Sequence, residues 1–351
     1  MQECTIVRFD ATFDWRQYQG RTAPATALGV ALCLGAGILL DQPLAGGIAA
    51  GGAVSAGFAA YKRFTRWREA PLALTAFGTG VSAAVGTLAG THSFSIVILA
   101  ALAGAALGET GRRHGESARW IVLQSAIALI VASAFAGGAH AALVRGMLVF
   151  VGGLVQGLVV TILWALRGEP MFLERPDADP ARTERPAWVE PLRTALVASV
   201  AVAVAGRLSM QNAYWIPMTA LLMMRPTLGA AAQASLERVA GTLAGAGVAT
   251  ALVSFLPVHG LYWALLVAVF SWLTYALQSV NFMAFSACLS ALIVLMLSAS
   301  GPPELQIAWH RVAATALGAL LALLVSEAFD RATRHLPGGS LAQGREHENG
   351  S

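Results

Sequence analysis

The chain has 351 residues, of which 56% are apolar and only 12% charged, and its mean hydropathy is +0.64. A soluble globule of this size carries roughly a quarter of its residues charged, and this sequence cannot cover such a surface. Soluble, disordered, coiled-coil and disulfide-scaffold classes are excluded together, leaving an all-α polytopic integral membrane protein. The formal charge of +4 comes from 22 arginines and one lysine, Lys62, against 19 acids. These bases cluster at the ends of apolar runs, as membrane topology requires, so no nucleic-acid partner is expected. Cys4, Cys33 and Cys288 are far apart and no Cys-x-x-Cys exists. Metal, redox chemistry and cofactors are therefore not expected. The first twenty residues mix Glu3, Asp10 and Asp14 with Arg8 and Arg16. That pattern predicts an amphipathic surface helix rather than a signal peptide.

In chain order, residues 1–22 read as a cytoplasmic N-terminal segment. Twelve apolar runs follow, several shorter than the roughly 17–25 residues of a full span. Six lie in the first half, at 25–40, 44–60, 71–90, 93–108, 120–136 and 141–166. Six lie in the second, at 194–209, 213–224, 239–256, 261–277, 282–297 and 312–329. With the N-terminus in the cytoplasm, 20 of the 23 bases fall on the inner side. Only Arg145, Arg207 and Arg311 fall outside, and this bias sets both termini inside.

The halves divide as two parallel six-helix repeats, 23–167 and 193–334, joined by a Pro-rich cytoplasmic linker at 168–192. A polar tail at 335–351 is expected to be disordered. Each half opens on Arg-Thr-Ala, at 21–23 and 193–195, and each sixth run repeats an arginine followed seven residues on by glycine: Arg145/Gly152 and Arg311/Gly318. Similar units in one orientation are a transporter pattern.

Enzyme motifs are missing: there is no Gly-Lys pair for a P-loop, and no GxGxxG, HExxH or GxSxG. An enzyme is not expected. The acids fall in loops or near run ends, where Asp41, Glu109, Glu304 and Glu327 come closest to the hydrocarbon, which argues against a cationic substrate. Arginine approaches it instead, at Arg145, Arg225, Arg238 and Arg311. A guanidinium fork suits carboxylate or phosphate, so an organic anion is the expected ligand. Arg145 and Arg311 are candidate outer anion sites and Arg225 and Arg238 inner ones, against the alternative of topological anchors. Tyr214 and Trp215 could contact aromatic rings or form an interfacial belt. His140 and His310 flank two of these arginines. Gln124, Gln156 and Asn281 are amides expected between helices. Gly241 and Gly245 are spaced for close helix approach, as are Gly86/Gly90, Gly104/Gly108 and Gly153/Gly157. The short run at 213–224 reads as a thin or broken helix, and the glycine-interrupted run at 44–60 is its counterpart.

Over residues 211–247 the order Tyr214-Trp215-x-Pro217, Arg225-Pro226, Gly229 and Arg238-x-x-Gly241-Thr242-x-x-Gly245 resembles the fusaric-acid-resistance (FUSC) family. Its relatives are the aromatic acid exporters and the plant aluminium-activated malate transporters. The resemblance implies paired six-helix membrane units and secondary export of aromatic or other small carboxylates across a bacterial inner membrane. An organic-anion channel and a non-transporting scaffold or envelope-assembly protein are the alternatives. The lipid bilayer, further copies of the chain or an auxiliary envelope subunit would be its partners. The larger bacterial exporters carry a sizeable cytoplasmic domain in mid-chain, and here only the linker stands in that place.

Overall fold

A computed structural model describes residues 12–20, 22–172, 186–208, 210–225, 227–255, 260–298 and 304–333. Most of the linker, the tail and the first eleven residues, including Cys4, Arg8, Arg175, Arg182, Arg185 and Arg345, lie outside the described residues. Eleven α-helices follow one another among them. They are α1 Ala23–Leu39, α2 Pro43–Ala59, α3 Ala70–Ala89, α4 Ser93–Ser133, α5 Ala139–Leu166, α6 Val189–Ala205, α7 Trp215–Leu222, α8 Leu228–Phe255, α9 Gly260–Leu277, α10 Phe282–Ser298 and α11 Glu304–Thr333. Prolines open α1, α2 and α3, where a missing N–H costs nothing. Five helices are long and apolar enough to cross a membrane, and four shorter ones are equally apolar.

The fourth and fifth apolar runs form one element, α4, in which the polar stretch between them stays helical except at Gly115 (φ 80°, ψ −178°). That conformation is open only to glycine. Gly115 therefore breaks α4 into two arms, 93–114 and 116–133, and the chain has twelve helical segments among the described residues. Of the segment expected as an amphipathic surface helix, residues 1–11 lie outside the described residues, and residues 12–20 contain one short 3-10 turn, Trp15–Gln17, capped by the Asp14 carboxylate. Asp14 N–H donates to the Val280 carbonyl at 3.1 Å and Asn281 Nδ2 to that of Thr12 at 3.0 Å. Asn281 Oδ1 also accepts from Ala284 N–H at 2.9 Å, capping α10. The glycines of α2 do not interrupt it. Gly46 lies against Gly37 of α1, Gly52 against the Val149 carbonyl of α5, and Gly57 makes room for Tyr275 of α9.

Small residues let these helices approach closely, since bilayers supply little hydrophobic drive between them. In the first half α3 packs on α4 and α5, and α2 on α5. In the second, α8 packs on α10 and α11, and α7 on α11. Between halves, α1 packs on α9 and α6 on α4. A Cβ on Gly86 or Gly90 would overlap the carbonyls of Leu129 and Ser133, and one on Gly241 or Gly245 those of Met283 and Ala287. Both glycine pairs belong to the same pentapeptide, Gly-Thr-Leu-Ala-Gly, at 86–90 and 241–245. Gly152 meets the Ala49 carbonyl of α2, as Gly318 meets the Ile216 carbonyl of α7. Gly104 and Gly108 seat the first arm of α4 on Thr194 and Glu190 of α6, and Gly153 meets Ala76 of α3.

Buried hydroxyls turn back to their own helices: Thr75 donates to the Pro71 carbonyl at 2.8 Å, Thr79 to that of Thr75 at 2.7 Å and Thr87 to that of Ala83 at 2.9 Å. Such self-sufficient polar groups suit an apolar solvent. Outward faces carry exposed Phe77, Leu102, Leu158 and Leu324.

The helix ends gather at two levels. At the basic end, Arg68 pairs with Glu169 and lies 4.0 Å over the Trp164 ring, Arg119 donates to the Met224 carbonyl at 3.3 Å, and Arg193 to that of Arg225 at 3.1 Å. At the opposite end the 133–135 and 210–214 segments meet across a cleft.

Candidate functional site

The site is built on α7. Only eight residues long, it begins at Trp215 because the chain turns through 211–214, with Asn212 in the left-handed region (φ 57°). Trp215 is 2% exposed, so it belongs to the interior and not to an interfacial belt. The Arg311 guanidinium of α11 lies 5.0 Å over its ring. Arg311 is 1% exposed, as is Arg238 of α8, and the charge of Arg238 acts on Arg311. Arg238 Nη1 donates to Ser286 Oγ of α10 at 3.3 Å. One turn further along α8 and α10, Ser290 Oγ donates to Thr242 Oγ1 at 3.3 Å. Nε of Arg238 and Nε of Arg311 are both buried without a hydrogen-bond partner, as is the hydroxyl of Thr219. Among the described residues no ion pair involves either arginine.

α8 starts eleven residues before the apolar run that marks it, at Leu228. Arg238 therefore lies inside the helix and not ahead of it. The early start also corrects the expectation that no carboxylate enters a span. Glu237 is 7% exposed within α8, accepts from Gln233 Nε2 at 3.0 Å and acts on Arg225.

Next to this pair is an open cleft of about 340 Å³, between α4 of the first half and α6 and α7 of the second. Ile130, Phe135, Val202, Asn212, Tyr214 and Pro217 line it. The brevity of α7 leaves this space. Tyr214 stands edge-on to Trp215 with ring centroids 5.6 Å apart, and Phe135 is 6.1 Å from Tyr214. Arg145 lies half-buried, 4.7 Å over the Phe135 ring. Arg145, Phe135, Tyr214, Trp215 and Arg311 form a continuous series of ring and cation contacts inward from the cleft.

Arg225 stands apart, at the basic end, 5.7 Å over Phe282. Beside it Lys62 lies 4.8 Å over Trp120. Burial lowers the Lys62 pKa; the Glu116 charge opposes this and Arg225 adds to it. Phe58 packs edge-on against Trp120, Tyr275 and Phe285 there, joining the two halves. His140 is exposed and His310 is half-buried with Nδ1 unpartnered. Gln156 fills the space over Gly29, with its amide unpartnered. Ser286 and Phe135 carry no signal in sequence: a serine in an apolar run and a phenylalanine at a run end are ordinary until their neighbours are known.

Chemically, two cations buried without an acid paired to them suit a negatively charged group. The all-helical architecture, the apolar outer faces and this enclosed cationic pair define a multi-pass membrane protein. Residues 198–325, which include Arg238 and Arg311, match the family model described as Fusaric acid resistance protein-like. No curated protein and no solved structure matches the chain.

Proposed function

We propose that the chain exports small organic anions, aromatic carboxylates among them, across a bacterial inner membrane as a secondary transporter. The observation that carries this reading is the buried pair Arg238 and Arg311, each with an unpartnered Nε and neither with an acid. The family match to a resistance-linked protein adds a role in removing a toxic compound. In this reading the basic end faces the cytoplasm, following the positive-inside rule. The twelve helical segments form two parallel repeats within the bilayer, supported by the recurring packing of α2 on α5 and α7 on α11. An inside-negative potential favours outward anion movement by about 2.3 kcal/mol per charge per 100 mV, so no catalytic machinery is needed.

The burial of both guanidiniums, 1% exposed each, favours a carrier over an open channel. A scaffold would gain nothing from two unneutralised buried charges. A susceptibility panel of weak organic acids tests the function. Cells lacking the protein should be inhibited at lower concentrations of carboxylates, and overproducing cells at higher ones, with the neutral amides unaffected. Identical inhibition in all strains would contradict it.

A further inference from the structure

We infer that two rows of aromatic and cationic side chains, one at each end of the molecule, gate the transport path. The second arm of α4 couples them, so that one opens as the other shuts. The inference rests on the reading of the protein as a transporter. Each row begins on a cation of the first half and ends on a cation of the second. At the end opposite the basic one, Arg145 lies 4.7 Å over Phe135 and Phe135 is 6.1 Å from Tyr214. Tyr214 is 5.6 Å from Trp215, over which Arg311 lies at 5.0 Å. At the basic end, Lys62 lies 4.8 Å over Trp120, and Phe58 stands edge-on to Trp120 at 6.0 Å and to Phe285 at 5.9 Å. Phe282 is 5.9 Å from Phe285, and Arg225 lies 5.7 Å over Phe282. The halves therefore meet at Phe135 and Tyr214 in one row and at Phe58 and Phe285 in the other. Both rows are complete, so both ends are shut in this structure.

Such rows suit a gate. A ring pair is worth about two- to tenfold in an equilibrium, enough to hold an end shut and little enough to part. The terminal cations let an anion loosen a row, because a charge-assisted hydrogen bond to carboxylate is stronger than contact with a ring face. The contact of α4 with α6 between the halves differs in kind. There Gly104 and Gly108 lie directly against the Thr194 and Glu190 carbonyls, a close backbone approach that suits a pivot. The coupling follows from α4. Trp120 lies in its second arm and Phe135 two residues beyond its end. This one arm thus supplies a ring to each row, roughly 20 Å apart along the helix. Gly86 and Gly90 of α3 seat the arm at Leu129 and Ser133, which makes it one body with the first half. Tilting that body against the second half tightens one row and parts the other.

The test is pulsed electron–electron double resonance on the full-length protein in detergent, carrying Cys4→Ala, Cys33→Ala and Cys288→Ala. Spin labels at His140→Cys and Gln211→Cys report the cleft end, and labels at Arg63→Cys and Ser279→Cys the basic end; all four positions are exposed. Phe135→Ala breaks the cleft-end row at a side chain 44% exposed, where truncation costs the fold little. It should raise the long-distance population of the cleft-end pair about two- to tenfold and lower that of the basic-end pair. Trp120→Leu should do the reverse. Unchanged distances in Phe135→Ala, or lengthening at both ends together, would overturn the coupled gates, and this variant alone decides should Trp120→Leu not fold. Benzoate efflux from cells carrying the same variants separates the two readings. Efflux with unmoved distances would keep export and remove the gates. Reciprocal distances without efflux of any acid would keep the gates and remove the organic-anion reading.

Discussion

A guanidinium keeps its charge at any physiological pH, so burial cannot neutralise it and leaves it in need of an anion. Arg311 has only the Trp215 face beneath it, and Arg238 only the Ser286 hydroxyl. Removing Trp215 should loosen Arg311 without removing it. Trp215→Leu gives up a desolvated cation–π contact of about 0.5–2 kcal/mol, equivalent to about two- to thirtyfold in anion affinity. Binding titrations at matched protein levels would measure that loss, and an unchanged affinity would show that Trp215 plays no part. The chemical identity of these residues is legible in sequence, because arginine near hydrocarbon is rare enough to mark them. Their meeting is not. Hydropathy places the start of the span at Val239, which puts Arg238 at the inner mouth, while the helix begins at Leu228. The same displaced boundary hides Glu237.

At the scale of the helix, backbone approach is set by glycine. The pentapeptides at 86–90 and 241–245 play the same mechanical part in α3 and α8. Gly245→Leu would drive a side chain into the Ala287 carbonyl, and Gly90→Leu would do so at Ser133. Both should reduce folded protein in the membrane to a similar degree, as membrane-fraction immunoblots would measure. Normal abundance of either would mean that its face meets lipid. Gly115 acts differently, since its φ of 80° and ψ of −178° let α4 break between its arms. Gly115→Ala should destabilise the protein by about 1–3 kcal/mol, seen as a lowered unfolding midpoint, whereas an unchanged midpoint would refute the strain. The break is legible only as a polar gap between two apolar runs. A dip in hydropathy does not distinguish a loop from a helix whose backbone continues on either side of one glycine.

For the whole molecule, the number of apolar segments is legible because each run matches one helical segment, with the arms of α4 counted separately. The pairing between halves is not legible. α1 on α9 and α6 on α4 are contacts of distant segments, and small residues that permit them also permit others. The bias of bases to one end predicts that fusion reporters placed after Arg175 and after Arg345 both signal cytoplasm. Opposite signals would mean an odd number of crossings and would end the two-repeat reading. Anion export through the buried arginines is tested most directly by efflux of benzoate-type acids from preloaded cells. Wild type would be compared with Arg238→Gln, Arg311→Gln, Arg238→Lys and Arg311→Lys at equal protein levels. Both Gln variants should lose about ten- to a hundredfold in apparent affinity, and the Lys variants should recover part of it, since an ammonium cannot make the bidentate contact. Equal efflux from all five would contradict the account and leave the two buried arginines without a ligand.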